Sequence, residues 1–252
     1  MKCFYAFAFI IIASCSVKHE VKDMESSSMV VSFPLEGIYI SPNTPGSRVP
    51  SHGTANFGEA YAIDFLMVKD SDRFNKPYSK SVFEYIFKGL QLNDFYGWGQ
   101  NVYFPVSGEV VEIENGIVER NPVNIFNDFR NTIKVTKDYI KNGASPKNIT
   151  GNYVMIKVNN STFALLAHLR KGSVNVSVGQ IIEAHDIIGQ LGHSGNSTMP
   201  HLHMQFMNSN DYNAAKGLPF VFESYEVKKE NKWLKVYNSV PKIKDIIRYN
   251  IE

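Results

Sequence analysis

The chain has 252 residues, of which 44% are hydrophobic and 13% aromatic, so it can bury a sizeable core and is not a disordered or low-complexity protein. Its 26 basic and 24 acidic side chains nearly cancel, which excludes the basic surface by which proteins bind nucleic acid or anionic lipid. The function must therefore depend on a specific site.

The N-terminal residues have the pattern of an export signal. Lys2 is followed by the apolar run CFYAFAFIIIA, which at about ten residues is much shorter than the roughly 20 that a membrane-spanning helix needs. We therefore interpret residues 1–14 as a signal peptide. The run ends in IASCS, which resembles the bacterial lipobox and predicts a lipid anchor on Cys15. An ordinary cleaved signal, with Cys15 incidental, is the alternative; both predict an exported protein.

A short tether is predicted to follow the signal. Residues 15–30 are polar, rich in serine and without apolar periodicity, which is typical of a linker. With a lipid on Cys15, this tether would hold the protein on a membrane, as a lipoprotein that faces the periplasm or the cell surface. Because Cys3 lies within the signal, the mature chain has no partner for Cys15 and no internal disulfide is expected.

From about residue 30 onward the sequence predicts an all-β protein. Runs such as GEVVEIENG and IIEAHDIIGQLG alternate apolar and polar residues, and VNNST has the turn chemistry of a hairpin. Two insertions, residues 70–97 and 119–150, contain apolar residues at three- and four-residue intervals and predict short helices. We assign residues 31–225 to one domain and 226–252 to a C-terminal extension, with a further short helix expected over 242–251.

The stretch MPHLHMQF places two histidines one residue apart in a predicted strand. Successive side chains of a strand point to opposite faces, so His201, His203 and Gln205 share one face. The other face is apolar and can seal the core, with Leu202, Met204 and Phe206. Two imidazoles that point into one space indicate a metal, an anion or a catalytic task. A hydrogen-bonded pair of structural histidines is the alternative.

Three further residues are candidates for the same centre. In SHGTANFGEAYAIDF, strand alternation buries Ile63 and Phe65 and sends Asp64 to the opposite face, a costly position for an acid unless it is paired or binds a metal. His52 lies upstream in a glycine-rich loop, and His168 ends the apolar run FALLAHL. Zinc fits imidazole and carboxylate ligands, whereas softer metals prefer thiolates, which the mature chain lacks. Taken singly, Asp64 could equally be a turn acid and His168 a core residue.

These motifs, in this order, resemble those of the lysostaphin-type zinc metallopeptidases. The resemblance covers residues 50–66 and 98–222 and includes GNYVMIKVNNSTFALLAHL and LGHSGNSTMPHLHMQF. It implies an antiparallel barrel-sandwich hybrid built from a duplicated motif, with one zinc ion per chain. The zinc ligands implied by the resemblance are His52, Asp64 and His203. The remaining active-site histidines of the family correspond to His168 and His201.

The resemblance implies a zinc metalloendopeptidase that hydrolyses peptide bonds in bacterial peptidoglycan. The expected partners are peptidoglycan peptides and a membrane reached through Cys15. Eleven residues separate His52 from Asp64, a longer spacing than in the best-known members but one that occurs in the branch reading YAIDF. The insertion at 70–97 is a second departure, and we expect it to affect substrate choice more than metal binding.

Two other functions are compatible with parts of the sequence. One is a non-catalytic cell-wall regulatory or binding domain on the same fold, although all five expected site positions are filled. The other is a biotinyl or lipoyl carrier, which needs a lysine at a hairpin tip, and VNNST has none. Among the remaining histidines, His185 is predicted to lie in an exposed turn. His193 is expected in a surface loop, with a place lining the groove or supporting a site residue from behind as the alternatives.

Overall fold

The computed structural model describes residues 28–72, 74–142 and 147–251. The predicted signal peptide, Cys15 and all of the tether before residue 28 lie outside these residues. Strands make up 36% of the chain and helices 16%. The all-β class predicted from the alternation of apolar and polar residues is therefore confirmed.

The described residues form thirteen strands in chain order. The strands are β1 (Met29–Val31), β2 (Gly37–Ile40), β3 (Ile63–Met67), β4 (Asn101–Tyr103), β5 (Gly108–Glu114), β6 (Asn152–Asn159), β7 (Thr162–Leu169), β8 (Ile181–Ile182), β9 (Ile187–Gln190), β10 (Leu202–Met207), β11 (Phe220–Lys229), β12 (Lys232–Ser239) and β13 (Ile246–Tyr249). The helices are α1 (Val82–Phe87), α2 (Ile125–Asn142) and α3 (Lys147–Thr150). Two 3-10 helices lie at Asn56–Tyr61 and Leu92–Asp94.

One eleven-stranded sheet organises the molecule. Its strand order is β1, β11, β13, β2, β3, β10, β7, β6, β5 and β8, and β12 pairs with β11 outside this path. Strands β4 and β9 form a separate pair. Strands β1 and β11 run parallel, and the other pairs in the described part of the chain are antiparallel, as the resemblance implies. The hairpin predicted at VNNST is the turn between β6 and β7.

An aromatic cluster fills the core beneath the central strands. The ring of Phe33 lies 5.0 Å from that of Phe65 and 4.8 Å from that of Phe222, measured between centroids. All three side chains are almost fully buried, and burial of each large aromatic ring contributes roughly 2 to 3 kcal/mol to folding. Because Phe65 belongs to β3, this packing fixes the strand that carries Asp64.

The register of β10 brings the predicted site residues together. His203 lies opposite Asp64 of β3 on one side and opposite Ala167 of β7 on the other. The alternate residues of β10 face the core and are fully buried, namely Leu202, Met204 and Phe206. A slip of one residue would exchange these two faces, so the apolar core determines which way His203 points.

The insertion at 70–97 contains the predicted short helix, α1. Helix α1 starts with a capping box, in which the Ser81 hydroxyl accepts a hydrogen bond from the Glu84 N–H and the Glu84 carboxylate accepts one from the Ser81 N–H. The two insertions pack on the sheet through a second apolar cluster, which includes Tyr85 of α1 and also Met199. This cluster therefore joins the insertions to the loop before β10.

The insertion at 119–150 is more regular than predicted. Its helix α2 has 18 residues rather than being short, and it begins where the Asn124 side chain accepts hydrogen bonds from the N–H groups of Phe126 and Asn127. At its far end, Tyr139 packs edge-on against Phe57 and donates to Asn213 Oδ1 at 2.9 Å. Within the described residues, no helix is both long and apolar enough to cross a membrane.

The C-terminal residues extend the main sheet. Strand β11 runs across the boundary predicted at 225, β12 pairs with it, and β13 pairs with both β11 and β2. The short helix expected over 242–251 is wrong, because residues 246–249 form β13. Side chains such as Ile247, which is fully buried, match the two-residue period of a strand better than the helical one.

Candidate metal centre

Three of the predicted residues converge on one point in space. The candidate ligand atoms of His52, Asp64 and His203 all lie within 4.8 Å of one another. His52 Nε2 is 3.0 Å from Asp64 Oδ2, and His203 Nδ1 is 2.9 Å from Asp64 Oδ1. Asp64 and His203 come from paired strands, whereas His52 arrives from the glycine-rich loop, as the sequence predicts.

In the His52 and His203 rings, the inner nitrogen faces Asp64 and the outer nitrogen contacts another side chain. The hydrogen bond of the outer nitrogen determines whether the inner nitrogen has a lone pair for a metal ion. His203 Nε2 lies 2.9 Å from Gln205 Oε1, which must accept because the Gln205 amide donates to the carbonyl of Phe57. His52 Nδ1 lies 3.0 Å from Ser51 Oγ, whose proton goes to the carbonyl of Glu59. In both rings the outer nitrogen is therefore the donor.

In the neutral rings, the inner nitrogens are consequently acceptors that face an acceptor. Each presents a lone pair about 3 Å from a carboxylate oxygen of Asp64, and such a contact is favourable only with a proton or a cation between the atoms. The Asn43 amide donates to Asp64 Oδ2 at 2.8 Å and orients the carboxylate. Two imidazoles and one carboxylate, each held by a further partner, fit the ligand set of zinc.

His168 reaches the same space through an unusual backbone conformation. Strand alternation would place neighbouring residues of β7 on opposite faces, yet Ala167 and His168 both line the cavity at the centre. His168 has φ of 62°, in the left-handed region that costs a non-glycine residue about 1 kcal/mol or more. Its Nδ1 lies 2.9 Å from the carbonyl of Ser194, so Nδ1 donates and Nε2 keeps its lone pair.

His201 is held in a similar way from the loop that precedes β10. Its Nδ1 lies 2.8 Å from the carbonyl of Met199, so this nitrogen carries the proton. Its Nε2 lies 3.6 Å from Asp64 Oδ1. The His168 and His201 rings are 4.6 Å apart between centroids, so two imidazoles stand beside the three candidate ligands.

Burial and charge separate the protonation states of these groups. Burial lowers the pKa of His168 well below the usual histidine value, and it lowers that of His201 against the opposing charge of Asp64. Burial also acts on His203, but the hydrogen bond and charge of Asp64 outweigh it and raise the pKa to about 9. Burial opposes ionisation of Asp64, yet the neighbouring histidines hold its pKa well below the carboxyl value. His168 and His201 are thus neutral near pH 7.

A cavity of about 330 Å³ opens over these residues. The sheet forms its floor, and α2 forms one wall through Thr132 and Tyr139. Beyond the five predicted residues, the cavity is lined by polar and aromatic side chains that include Asn43, Phe57, Glu59, Asn196, Thr198, Gln205 and Tyr212. The cavity is thus a groove with both polar and aromatic walls.

A family comparison agrees with the motifs. Residues 88–215 match the sequence model of peptidase family M23. The chain belongs to peptidase family M23. This confirms the resemblance to the lysostaphin-type metallopeptidases and indicates a peptidase or peptidoglycan-hydrolase type of function. The match includes His168, His201 and His203. It begins after His52 and Asp64, which the glycine-rich loop and the sheet bring to the same centre.

Solved M23 structures are similar to this chain at low identity. The catalytic domain of the antimicrobial peptidase lysostaphin from Staphylococcus simulans is 20% identical, covers 79% of this chain and 95% of its own, and gives a TM-score of 0.34. A zinc-containing peptidase from Vibrio cholerae is 17% identical, with coverage of 62% and 48% and a TM-score of 0.30. No curated protein sequence matches significantly. The family assignment therefore depends on the sequence-model match.

One histidine of this M23 chain lies in the interior rather than in the expected surface loop. The prediction of a surface position for His193 is wrong, because the side chain is fully buried. Its Nδ1 lies 3.0 Å from Ser197 Oγ, and its Nε2 lies 3.3 Å from Asp128 Oδ1 of α2. The Asp128 carboxylate also accepts from Arg120 Nε at 2.5 Å. By contrast, His185 occupies an exposed turn, as predicted.

The Asp128 cluster makes a pH-dependent contribution to stability. Burial raises the pKa of Asp128, but hydrogen bonds and charges of His193 and Arg120 outweigh this and hold it below the usual carboxyl value. The stabilisation is therefore present above about pH 4, the unfolded carboxyl value, and is lost as pH falls through the folded pKa. We expect Asp128→Asn to lower the free energy of unfolding at pH 7 by about 2 to 3 kcal/mol.

The measurement is urea unfolding of wild type and Asp128→Asn at pH 7, 4 and 3. The substitution removes the stabilising carboxylate charge of Asp128 at every pH, and protonation removes the same charge from wild type at low pH. The difference in unfolding free energy between the two proteins should therefore shrink as the pH falls. A difference that stays constant from pH 7 to pH 3 would contradict the sign of the shift.

Proposed function

We propose that this M23 protein is an exported zinc-dependent endopeptidase that hydrolyses peptide bonds in bacterial peptidoglycan. The observation that carries the proposal is the convergence of His52, Asp64 and His203 on one point, beside two neutral imidazoles in a peptide-sized groove. The predicted export signal and the lipobox-like sequence at Cys15 support a place on the outer side of a bacterial membrane, where peptidoglycan is the abundant peptide substrate.

His52, Asp64 and His203 would hold the zinc ion. When bound, zinc supplies Lewis acidity, which polarises a peptide carbonyl and brings the pKa of a water molecule toward 7. His203 must give up its proton to become a ligand; the hydrogen bond and charge of Asp64 raise its pKa to about 9, so this position favours a positive charge. The hydrogen bonds of His52, Asp64 and His203 thus favour a cation between these three side chains.

The two remaining imidazoles would move protons and stabilise charge. His168 and His201 are neutral and keep their Nε2 lone pairs, because backbone carbonyls occupy their Nδ1 protons. One can accept a proton from the attacking water. After that transfer, the resulting imidazolium can donate to the leaving amine or to the developing negative charge on the carbonyl oxygen, effects worth about 10² to 10⁴ in rate.

The groove offers contacts for the main chain of a substrate. Asn196 lines the cavity, and its side-chain oxygen is buried with no hydrogen-bond partner among the described residues. A buried acceptor without a partner is costly, so rotation of the Asn196 side chain toward a substrate N–H in the cavity would be favourable. Phe57 and Tyr139 supply aromatic surface on the wall, against which aliphatic parts of a stem or bridge peptide can pack.

The deciding experiment is digestion of purified peptidoglycan before and after chelation. We expect wild type to release soluble fragments with new amino termini, identified by mass spectrometry. Chelation should abolish this release, and one equivalent of zinc per chain should restore it. Release that continues after chelation would reject zinc dependence. A protein that binds one zinc ion yet cuts nothing would instead support the non-catalytic regulatory alternative.

A further inference from the structure

A buried chain of hydrogen bonds connects helix α2 to His201. From Asp128 it passes to His193 Nε2 at 3.3 Å, from His193 Nδ1 to Ser197 Oγ at 3.0 Å, and from Ser197 Oγ to His201 Nδ1 at 3.1 Å. Asp128, His193 and Ser197 are each no more than 1% exposed. Water therefore does not compete for these bonds, and their geometry is strongly determined.

Arg120 fastens the loop that contains this chain. Besides Asp128, its guanidinium donates to the carbonyl of Gly195 at 2.7 Å and to the carbonyl of Ser197. Five donors in a rigid planar group can hold several acceptors at once. The charge of Arg120 also compensates Asp128, so the loop before β10 is fixed by an ion pair from the insertion at 119–150.

The loop in turn determines the tautomer of His201. The carbonyl of Met199 can only accept, so His201 Nδ1, at 2.8 Å, must be the protonated nitrogen. The Ser197 hydroxyl donates to the same carbonyl at 2.7 Å and so fixes its direction. With the proton on Nδ1, the lone pair of His201 is on Nε2, which faces Asp64.

We propose that His193 and Ser197, anchored by Asp128 and Arg120, are positioning residues that hold the ring orientation and the Nδ1-protonated tautomer of His201. The inference rests on the proposed function, in which His201 transfers protons through Nε2. The chain of residues explains why this M23 protein buries a histidine at 193, at a cost that hydrogen bonds must offset. It also gives the insertion at 119–150 a role in catalysis.

Ser197, His193 and Asp128 share the composition of a serine nucleophile triad, but they are not arranged as one. Ser197 is fully buried, and its hydroxyl already donates to Met199. A nucleophile must reach a substrate carbonyl within about 3 to 3.5 Å. The buried hydroxyl has no such access, so a positioning role accounts for these residues.

The test compares Ser197→Ala in two backgrounds, using the zinc-loaded protein and a peptidoglycan-derived peptide. In the wild-type background, we expect kcat to fall by about 10- to 100-fold, the range for a catalytic group displaced by up to about 1 Å. KM and the single equivalent of bound zinc should stay unchanged. In a His201→Ala background, Ser197→Ala should cost less than about twofold, because the effect acts through His201. Ser161→Ala, in the exposed β6–β7 turn, is the matched control and should behave as wild type.

A spectroscopic measurement makes the inference independent of activity. Ring ¹⁵N chemical shifts should show His201 protonated at Nδ1 in wild type and a mixture of tautomers in Ser197→Ala. Asp128→Asn is the second variant and should shift the spectrum in the same direction. Unchanged His201 shifts in both variants would overturn the inference, as would an equal loss of kcat in the two backgrounds. If wild type itself proves inert, the proposed function fails while the ring shifts still decide whether His201 is positioned this way.

Discussion

Substitution Asp64→Asn should abolish hydrolysis and lower zinc affinity by more than about 100-fold, beyond what is usual for residues that only orient ligands. Asparagine keeps the size of the side chain but replaces a charged oxygen with an amide that cannot neutralise a cation. Asp64 touches both histidines of the centre, at 3.0 Å and 2.9 Å. No other acid of the described residues lies in this cluster.

The same substitution has an effect that needs no metal. Asp64 raises the pKa of His203 to about 9 against the opposing effect of burial. Without the carboxylate, burial should dominate and the pKa of His203 should fall. An NMR titration of the metal-free variant measures this change, and calorimetry measures the zinc affinity.

Two comparison variants sharpen the result. Asn43→Ala removes the amide that donates to Asp64 Oδ2, and we expect a smaller loss of zinc affinity, about tenfold. Asp186→Asn alters an exposed turn acid and should leave zinc affinity unchanged. If Asp64→Asn kept wild-type zinc affinity, the metal centre described above would be wrong.

Substitution His201→Ala should lower kcat by about 10² to 10⁴-fold, the usual contribution of a general acid or base. Zinc should still bind at one equivalent, because His201 stands outside the group of three ligand candidates. A fall in kcat without loss of metal would separate a proton-transfer role from a ligand role. Steady-state kinetics on a defined peptide, with metal analysis of the same samples, gives both quantities.

The control for His201→Ala is a histidine outside the groove. His185→Asn suits this purpose, because the residue is exposed and has φ of 73°, a conformation that asparagine tolerates. It should keep full activity. Should His201→Ala lose zinc as completely as Asp64→Asn does, His201 would have to be counted among the ligands, and the division of roles would change.

Much of the centre could be predicted because strands have a period of two. Alternation alone assigns Asp64 and His203 to the faces they occupy, since their neighbours Ile63, Phe65 and Leu202 are fully buried in the core. The alternation does not reveal that β3 pairs with β10, because pairing joins residues far apart in the chain. The family resemblance supplied that information by naming both residues as ligands.

Other features depend on tertiary contacts that leave little trace in local sequence. His168 lines the cavity only because its backbone adopts a left-handed conformation, which no periodicity predicts. His193 has the polar, glycine-rich neighbours of a surface loop, yet in the interior its two nitrogens lie within hydrogen-bond distance of Ser197, Asp128 and Arg120. The helical spacing in 119–150 predicts a helix but not its length of 18 residues, because the far end of the helix is held at Tyr139 by Phe57 and Asn213, which are distant in the sequence.

The strand order of the sheet also limits how far the C-terminus of this protein can be shortened. Strand β3, which carries Asp64, is flanked by β2, and β2 is flanked in turn by β13. A fragment trimmed at residue 225 would cut β11 before its last residues, 226–229, and would delete β12 and β13. It would leave β2 as an unpaired edge strand, open to pairing with other chains, next to the strand that carries the candidate ligand Asp64. A shortened form of this protein that keeps the sheet around β3 intact must therefore extend through Tyr249.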